Sequence, residues 1–383
     1  MISKMFSFLI LLSVASTVFA VDAPTGKNIT TCFATLDSAY SQIKENVEIE
    51  NMPRIRNMDV LFPFCAGFSS ATIAQHYYCK SKHIKCTDLP LKKEMSPIAM
   101  AGLLNIGEIQ ASNGDYRFLT RYDWKEYKVH PVRWRDGILE SRQFWDEGIL
   151  GGGPSANALH NFNESPEITA ESCYPFDRLV KLYQEKYPNE NDRAAAFANV
   201  IAELETQFSR SNHGEKICVE CLQKTINEKL LSPIKLEHLH AYLKVDSFGR
   251  FLYGITVDGD HDCMDSVRPR PSPDRMGYFP KEGLSATPAE VVTKIKEVLK
   301  NGHPIDTGVC PYRENGKCLG RHSVVISGYR KMCSPASGAC RDVFKVHNSW
   351  GIDWQQRHND GWVDAITLFG DEMQGTAALS WLE

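Results

Sequence analysis

Residues 320–351 read GRHSVVISGYRKMCSPASGACRDVFKVHNSWG, and this stretch decides the fold of the chain. It contains two apolar runs rich in β-branched and aromatic residues, separated by a turn-rich loop that includes Pro335 and Gly338. This pattern predicts a β-hairpin. Folding the hairpin about the middle of its loop brings His322 opposite Asn348. A side-chain amide that orients an imidazole is half of a nucleophile-activating system, and the missing half would be a cysteine.

A suitable cysteine is Cys65, which stands between a proline-containing loop and a helical pattern. Apolar residues recur at three- and four-residue steps from Phe68 to Tyr78, and this spacing predicts the buried face of a helix. Cys65 is therefore expected at a helix N-terminus, where exposed N–H groups and the helix dipole stabilise a thiolate. In such a setting, and more so beside an imidazolium, the pKa of a thiol falls from ~8.5 to roughly 3.5–7.5.

These motifs resemble those of the papain-like cysteine peptidases, in which a cysteine at a helix start is followed by a histidine strand and an Asn-Ser-Trp-Gly segment. The resemblance extends, in family order, to four weaker segments: Met95-Ser96-Pro97, Gly151-Gly152, Tyr174-Pro175-Phe176 and Gly302-His303-Pro304. It spans the chain from about Pro53 to the C-terminus with one large interruption. The chain is therefore similar to a divergent family member that carries an insertion.

The resemblance implies an α+β fold with a helical lobe, an antiparallel β lobe and an active cleft between them. It implies a cysteine endopeptidase in which Cys65 attacks the scissile carbonyl, His322 carries the proton and Asn348 orients the imidazole. Gly151 and Gly152 match the family's glycine wall, and they would bind an extended peptide or protein substrate through its backbone. Neither a cofactor nor a metal is expected.

The resemblance departs from the family at the oxyanion hole. Asp59 stands where the family has a glutamine that donates a hydrogen bond, and an ionised carboxylate would instead repel the developing negative charge. Asn57 is the candidate donor if the loop that follows Asp59 carries an insertion and turns the carboxylate away. The absent glutamine keeps open a papain-like protein that binds peptides without cleaving them. A third class is a structural, disulfide-rich binding protein in which the inserted subdomain carries the function.

The N-terminus resembles a secretory signal peptide over residues 1–20. Lys4 precedes an apolar run, and Val18-Phe19-Ala20 supplies small residues at the cleavage position. We therefore predict a secreted or periplasmic protein, or a lysosomal or vacuolar one in a eukaryote. No other apolar run reaches the roughly 18 residues that span a bilayer, so no membrane anchor is expected.

The remaining sequence divides into an N-terminal extension and one peptidase domain. Residues 21–50 form the extension, with a helix expected over 34–44, and residues 51–383 form the domain. Helical patterns fill residues 177–270, and they are predicted to form an insertion. The insertion explains why the interval between the cysteine and the histidine far exceeds the roughly 130–150 residues typical of the family.

The chain has twelve cysteines, which fits an oxidising compartment. Setting Cys65 aside leaves an odd number, so at least one further thiol should be free or pair with another chain. The favoured disulfide joins Cys333 to Cys340 across the hairpin loop. Two more pairs are plausible by proximity: Cys310 with Cys318, and Cys79 with Cys86.

One group of cysteines also has the spacing of zinc ligands. Cys218 and Cys221, with His261 and Cys263, form this group, but a disulfide is the favoured interpretation in an exported chain. The formal net charge of −4 comes without a basic stripe, so nucleic-acid binding has little support. The sequence leaves the oligomeric state open.

Overall fold

A computed structural model describes the chain over most of its length. The described residues are 29–59, 61, 64–103, 109–110, 116–117, 155–164, 167–245, 248–257, 263, 265–280, 285–369 and 378–383. The signal peptide predicted over residues 1–20 lies outside them, and so do Gly151 and Gly152.

The described residues form a mixed α+β structure with antiparallel sheets. The helices are α1 (Cys65–Lys82), α2 (Pro97–Leu103), α3 (Ser155–Glu164), α4 (Phe176–Lys186), α5 (Glu190–Asn212), α6 (Val219–Lys229), α7 (Leu236–Tyr242), α8 (Phe248–Val257), α9 (Pro288–Lys300), α10 (Gly351–Arg357) and α11 (Ala365–Phe369). A short 3₁₀ helix covers Leu91–Lys93. None of the helices in the described part of the chain combines the length and the apolar character that spanning a bilayer requires.

The strands form one large antiparallel sheet and several small ones. They are β1 (Ile29–Thr31), β2 (Gln42–Glu48), β3 (Ile109–Gln110), β4 (Tyr116–Arg117), β5 (Ile168–Thr169), β6 (Ser266–Val267), β7 (Met276–Phe279), β8 (Ile305–Val309), β9 (Tyr312–Glu314), β10 (Lys317–Cys318), β11 (His322–Cys333), β12 (Cys340–His347), β13 (Trp362–Asp364) and β14 (Leu379–Leu382). The large sheet has the order β13-β12-β11-β8-β14-β7, and β2 also pairs with β11.

The predicted hairpin is confirmed as β11 and β12, which pair antiparallel at the centre of the large sheet. Val325 lies opposite His347 near one end of the hairpin, and Cys333 lies opposite Cys340 at the other. A register shift between Ile326 and Gly328 interrupts the ladder. The register aligns the strand ends at which the predicted histidine and asparagine stand.

Helix α1 packs between the other helices and the sheet, and it contacts α2, α3 and β11. Phe68, Ala71 and Ala74 of the predicted face are buried and Tyr78 is half-buried, but the residues between Phe68 and Ala71 are buried too, so the start of the helix is enclosed on all sides. Gly67 permits the close crossing with α2, because a Cβ at this position would lie 2.5 Å from the carbonyl oxygen of Pro97. The first residue of α1 is Cys65, so the predicted helix start is confirmed.

The helix expected over residues 34–44 is wrong. The N-terminal segment instead contributes two strands, because β1 pairs with β9 and β2 pairs with β11. Strand β2 has a mixed local pattern, and its conformation is set by hydrogen bonding to a distant strand rather than by its own propensity. Phe33, between these strands, is buried in the core.

The predicted insertion is helical, with α4 to α8 following one another from Phe176 to Val257. Its buried aromatic residues Phe208 and Phe251 pack with ring centroids 5.1 Å apart. The C-terminal part of the predicted range differs, because Ser266 and Val267 form β6, which pairs with β5.

Five disulfides use ten of the twelve cysteines. The pairs predicted by proximity are all present: Cys333–Cys340, Cys310–Cys318 and Cys79–Cys86. Cys218 pairs with Cys221 and Cys173 pairs with Cys263, so the three cysteines of the zinc-like group are divided between two disulfides, and His261 lies outside the described residues. The cysteines outside these disulfides are Cys32 and Cys65.

Candidate active site

His322 and Asn348 meet in a buried hydrogen bond at the end of the hairpin. The Nε2 atom of His322 lies 2.8 Å from the Oδ1 atom of Asn348. Both side chains are almost completely shielded from solvent. Asn348 can orient the imidazole through this contact, because an amide oxygen that accepts from Nε2 selects the tautomer whose Nδ1 can take a proton.

Trp350 covers the imidazole of His322. The two rings stack with centroids 4.6 Å apart and an interplanar angle of 25°. Phe33, Tyr312 and Trp354 pack around Trp350 in turn. This aromatic cluster keeps water away from the His–Asn hydrogen bond, and a hydrogen bond is electrostatically stronger where the local dielectric is low. Phe33 was missed by the sequence reasoning, because its segment was assigned to a separate extension.

Cys65 lies next to the strand that carries His322. The backbone N–H groups of Ser323 and Ala66 hydrogen bond with the Cys65 sulfur and favour its thiolate. Ser323 directly follows His322 in β11, so the thiol lies beside the backbone of the residue next to the histidine. Cys65 and His322 belong to segments that are far apart in sequence. Their elements, α1 and β11, pack against each other.

The ionisation of this pair differs from the sequence expectation. Burial raises the pKa of the Cys65 thiol to about 11, although the N–H groups of Ser323 and Ala66 oppose this rise. Burial lowers the pKa of His322 to about 4, against the opposing effect of the Asn348 hydrogen bond. The expected lowering of the thiol pKa is therefore wrong for this structure, because desolvation outweighs the helix N-terminus. The neutral imidazole remains able to accept a proton.

These shifts predict how Cys65 reacts with iodoacetamide as the pH changes. The thiolate is the reactive form, so a raised pKa means that the alkylation rate keeps increasing through and beyond the ~8.5 of an ordinary thiol. The rate should be measured by mass spectrometry on the Cys32→Ala variant, which leaves Cys65 as the sole cysteine outside the disulfides. A rate plateau in mildly acidic solution would instead show a preformed thiolate–imidazolium pair.

A buried carboxylate network lies beside Cys65, and the sequence reasoning missed it. Asp306 in β8 is 3% exposed, and its negative charge further raises the pKa of the Cys65 thiol. Four serine hydroxyls form the network with it: Ser155, Ser323 and Ser380 donate to its carboxylate, and Ser69 lies 2.9 Å from the hydroxyl of Ser323. The network connects α1, α3, β8, β11 and β14. The sequence signal that could have revealed it is an acidic residue inside a strand, between Ile305 and Val309.

Asn57 lies against the Trp350 side of the site. It forms an isolated bridge with Trp350, and a Cβ at Gly351 would lie 3.3 Å from the Asn57 side chain. The Oδ1 atom of Asn57 accepts a hydrogen bond from the backbone N–H of Asp59 at 2.9 Å. That contact fixes the carboxamide by its oxygen and leaves its N–H₂ group as the donor end.

Asp59 binds the helical insertion. Its carboxylate accepts from Nε of Arg193 at 3.0 Å and from Nε2 of Gln184 at 2.7 Å, and the side chain is buried. Arg193 lies in the first turn of α5, and Gln184 belongs to α4. The Asp59 carboxylate is thus directed towards α4 and α5, where an ion pair with Arg193 compensates its charge.

The predicted site residues therefore divide into two groups. His322, Asn348, Cys65 and Asn57 lie around the end of β11, whereas Gly151 and Gly152 lie outside the described residues. No protein-family model matches the chain, and no curated protein matches it significantly.

Proposed function

We propose that the chain is a cysteine endopeptidase with a papain-like two-lobe fold and a helical insertion. The observation that carries this proposal is the buried His322–Asn348 hydrogen bond under Trp350. An amide-oriented imidazole beside a cysteine at a helix start has the chemical parts of an acyl-transfer site. The signal-peptide pattern and the five disulfides support a location outside the reducing cytosol for this protein.

The proposed reaction has two halves that share one proton carrier. His322 takes the proton of Cys65 as the sulfur attacks the scissile carbonyl, and it then gives that proton to the leaving amine. The resulting acyl-enzyme is hydrolysed by water, with His322 again acting as the base. Asn348 holds the imidazole throughout.

The oxyanion requires two donors at the start of α1. The backbone N–H of Cys65 is one of the first-turn N–H groups that lack an intrahelical acceptor. The side-chain amide of Asn57 is the proposed second donor, because it lies against Trp350 and carries no charge. Extended substrate would run along Gly151 and Gly152, as the family resemblance implies.

The second candidate is a papain-like protein that binds peptides without cleaving them. The pKa shifts of Cys65 and His322 favour it, since a pKa of about 11 for the thiol and of about 4 for the imidazole leaves no preformed thiolate–imidazolium pair at neutral pH. Under this alternative the cleft still holds an extended peptide, but the thiol stays unreactive.

Labelling with an epoxide that alkylates activated thiols tests the proposal. The purified protein should take up one label, and peptide mapping should place it on Cys65. The Cys32→Ala variant should be labelled to the same extent as the wild-type protein. The His322→Ala variant should not be labelled, because Cys65 has then lost its proton acceptor. A chain that binds peptides but takes up no label and cleaves none supports the second candidate.

A further inference from the structure

The Cys218–Cys221 disulfide differs from the other four in its position. Both of its cysteines are exposed, and they stand at the surface end of α6 in the helical insertion. Each of the other disulfides contains at least one cysteine that is buried, such as Cys79 or Cys333. A thiolate in solution can therefore reach the Cys218–Cys221 bond without any opening of the core.

This disulfide also contributes little to holding the fold together. Its cysteines are three positions apart, against a separation of 90 for Cys173–Cys263, and the entropic effect of a crosslink grows with the length of the closed loop. Helix α6 packs against the core through the buried residues Leu222 and Ile226, which do not depend on the disulfide. Opening the bond should therefore leave the helix in place.

The local geometry favours a thiolate at Cys218. Its sulfur is the N-cap of α6 and accepts a hydrogen bond from the backbone N–H of Cys221 at 3.2 Å. A helix N-terminus stabilises negative charge, and a Cys-x-x-Cys spacing in this position lowers the pKa of the first thiol. Glu220, in the first turn, opposes this effect with its own charge.

We propose that Cys218 and Cys221 form a thiol–disulfide exchange site that oxidises a dithiol of an exported partner. A partner thiolate attacks the Cys218 sulfur, and Cys221 leaves with the electron pair of the broken bond and takes up a proton. The second partner thiolate then attacks the partner sulfur of this mixed disulfide, and Cys218 leaves as a thiolate. Two electrons pass from the partner to the pair, and the partner gains a disulfide. This activity is independent of the proposed peptidase site.

The first test is reduction of the full-length protein in glutathione buffers of increasing reducing strength. Thiols are alkylated at each step and located by mass spectrometry. Cys218 and Cys221 should become labelled while Cys333–Cys340, a matched short-range disulfide with one buried cysteine, remains intact and the far-ultraviolet circular dichroism stays unchanged. Reduction of Cys218–Cys221 only together with Cys333–Cys340, or only with loss of helical signal, would overturn the proposal.

The second test measures which sulfur reacts, with oxidised glutathione as the probe. In a Cys65→Ser background, the Cys221→Ser variant should capture one glutathione on Cys218, because no second thiol is left to release it. The matched Cys218→Ser variant should capture glutathione on Cys221 about tenfold more slowly, because Cys221 lacks the N-cap contact. Equal capture rates, or no capture by either folded variant, would contradict the assignment.

Discussion

His322→Ala is expected to lower kcat/KM for peptide hydrolysis on the order of 10⁴-fold, the scale seen when one member of a catalytic triad is disabled. The loss follows from the proposed role of the imidazole, which takes the proton of Cys65 and is held in place by Asn348 and Trp350. A fluorogenic peptide assay with the natural chain and the variant measures the effect. The loss should appear in kcat, because in the proposed mechanism His322 moves a proton and does not hold the substrate.

His358→Ala is the matched control for that experiment. Its imidazole stacks on Trp354 with centroids 4.2 Å apart, much as His322 stacks on Trp350, but its Nδ1 atom bonds to the backbone oxygen of Trp354 and not to a side-chain amide. The control should therefore retain nearly full activity while losing a similar aromatic contact. Equal losses in both variants would show that packing around the tryptophans, and not proton transfer, explains the first result.

The hairpin and its histidine–asparagine contact were predictable because the information is local. Two apolar runs, a turn-rich loop and a polar residue at each outer end specify the register, and the structure realises it from Val325 to Cys340. The start of α9 is similar, since Thr287 and Glu290 form a capping box that can be recognised in sequence. Both features are formed by residues that lie close together in the sequence, so their hydrogen bonds can be predicted from it.

The features that sequence reasoning missed depend on contacts between distant segments. Strand β2 forms only because β11 offers it an edge, and residues 34–44 give no local sign of that partner. The network around Asp306 is built from serines on four different elements, none of which is informative alone. The raised pKa of the Cys65 thiol likewise results from burial, which a helix-start motif does not encode.

Asn57→Ala is expected to lower kcat for peptide hydrolysis by roughly 100-fold and to leave KM nearly unchanged. The amide would donate to the oxyanion of the tetrahedral intermediate, and this interaction is strongest in the transition state. The same peptide assay measures both constants. Asn57→Asp provides a sharper comparison, because it keeps the size of the side chain and replaces the donor with a negative charge.

Asp59→Gln distinguishes this assignment from the alternative in which residue 59 itself occupies the position of the family's glutamine. If Asp59 stood at the oxyanion hole, the substitution would restore the family's donor and increase turnover. In the structure the Asp59 carboxylate instead pairs with Arg193, whose side chain is only 11% exposed. Removing one partner of a buried ion pair leaves the other charge without compensation, so urea denaturation should show a stability loss of about 3 kcal/mol. Turnover of the folded fraction should not rise, since the carboxylate contacts α4 and α5 rather than the site. A large gain in turnover without a loss of stability would assign the donor position to residue 59 and remove Asn57 from the mechanism.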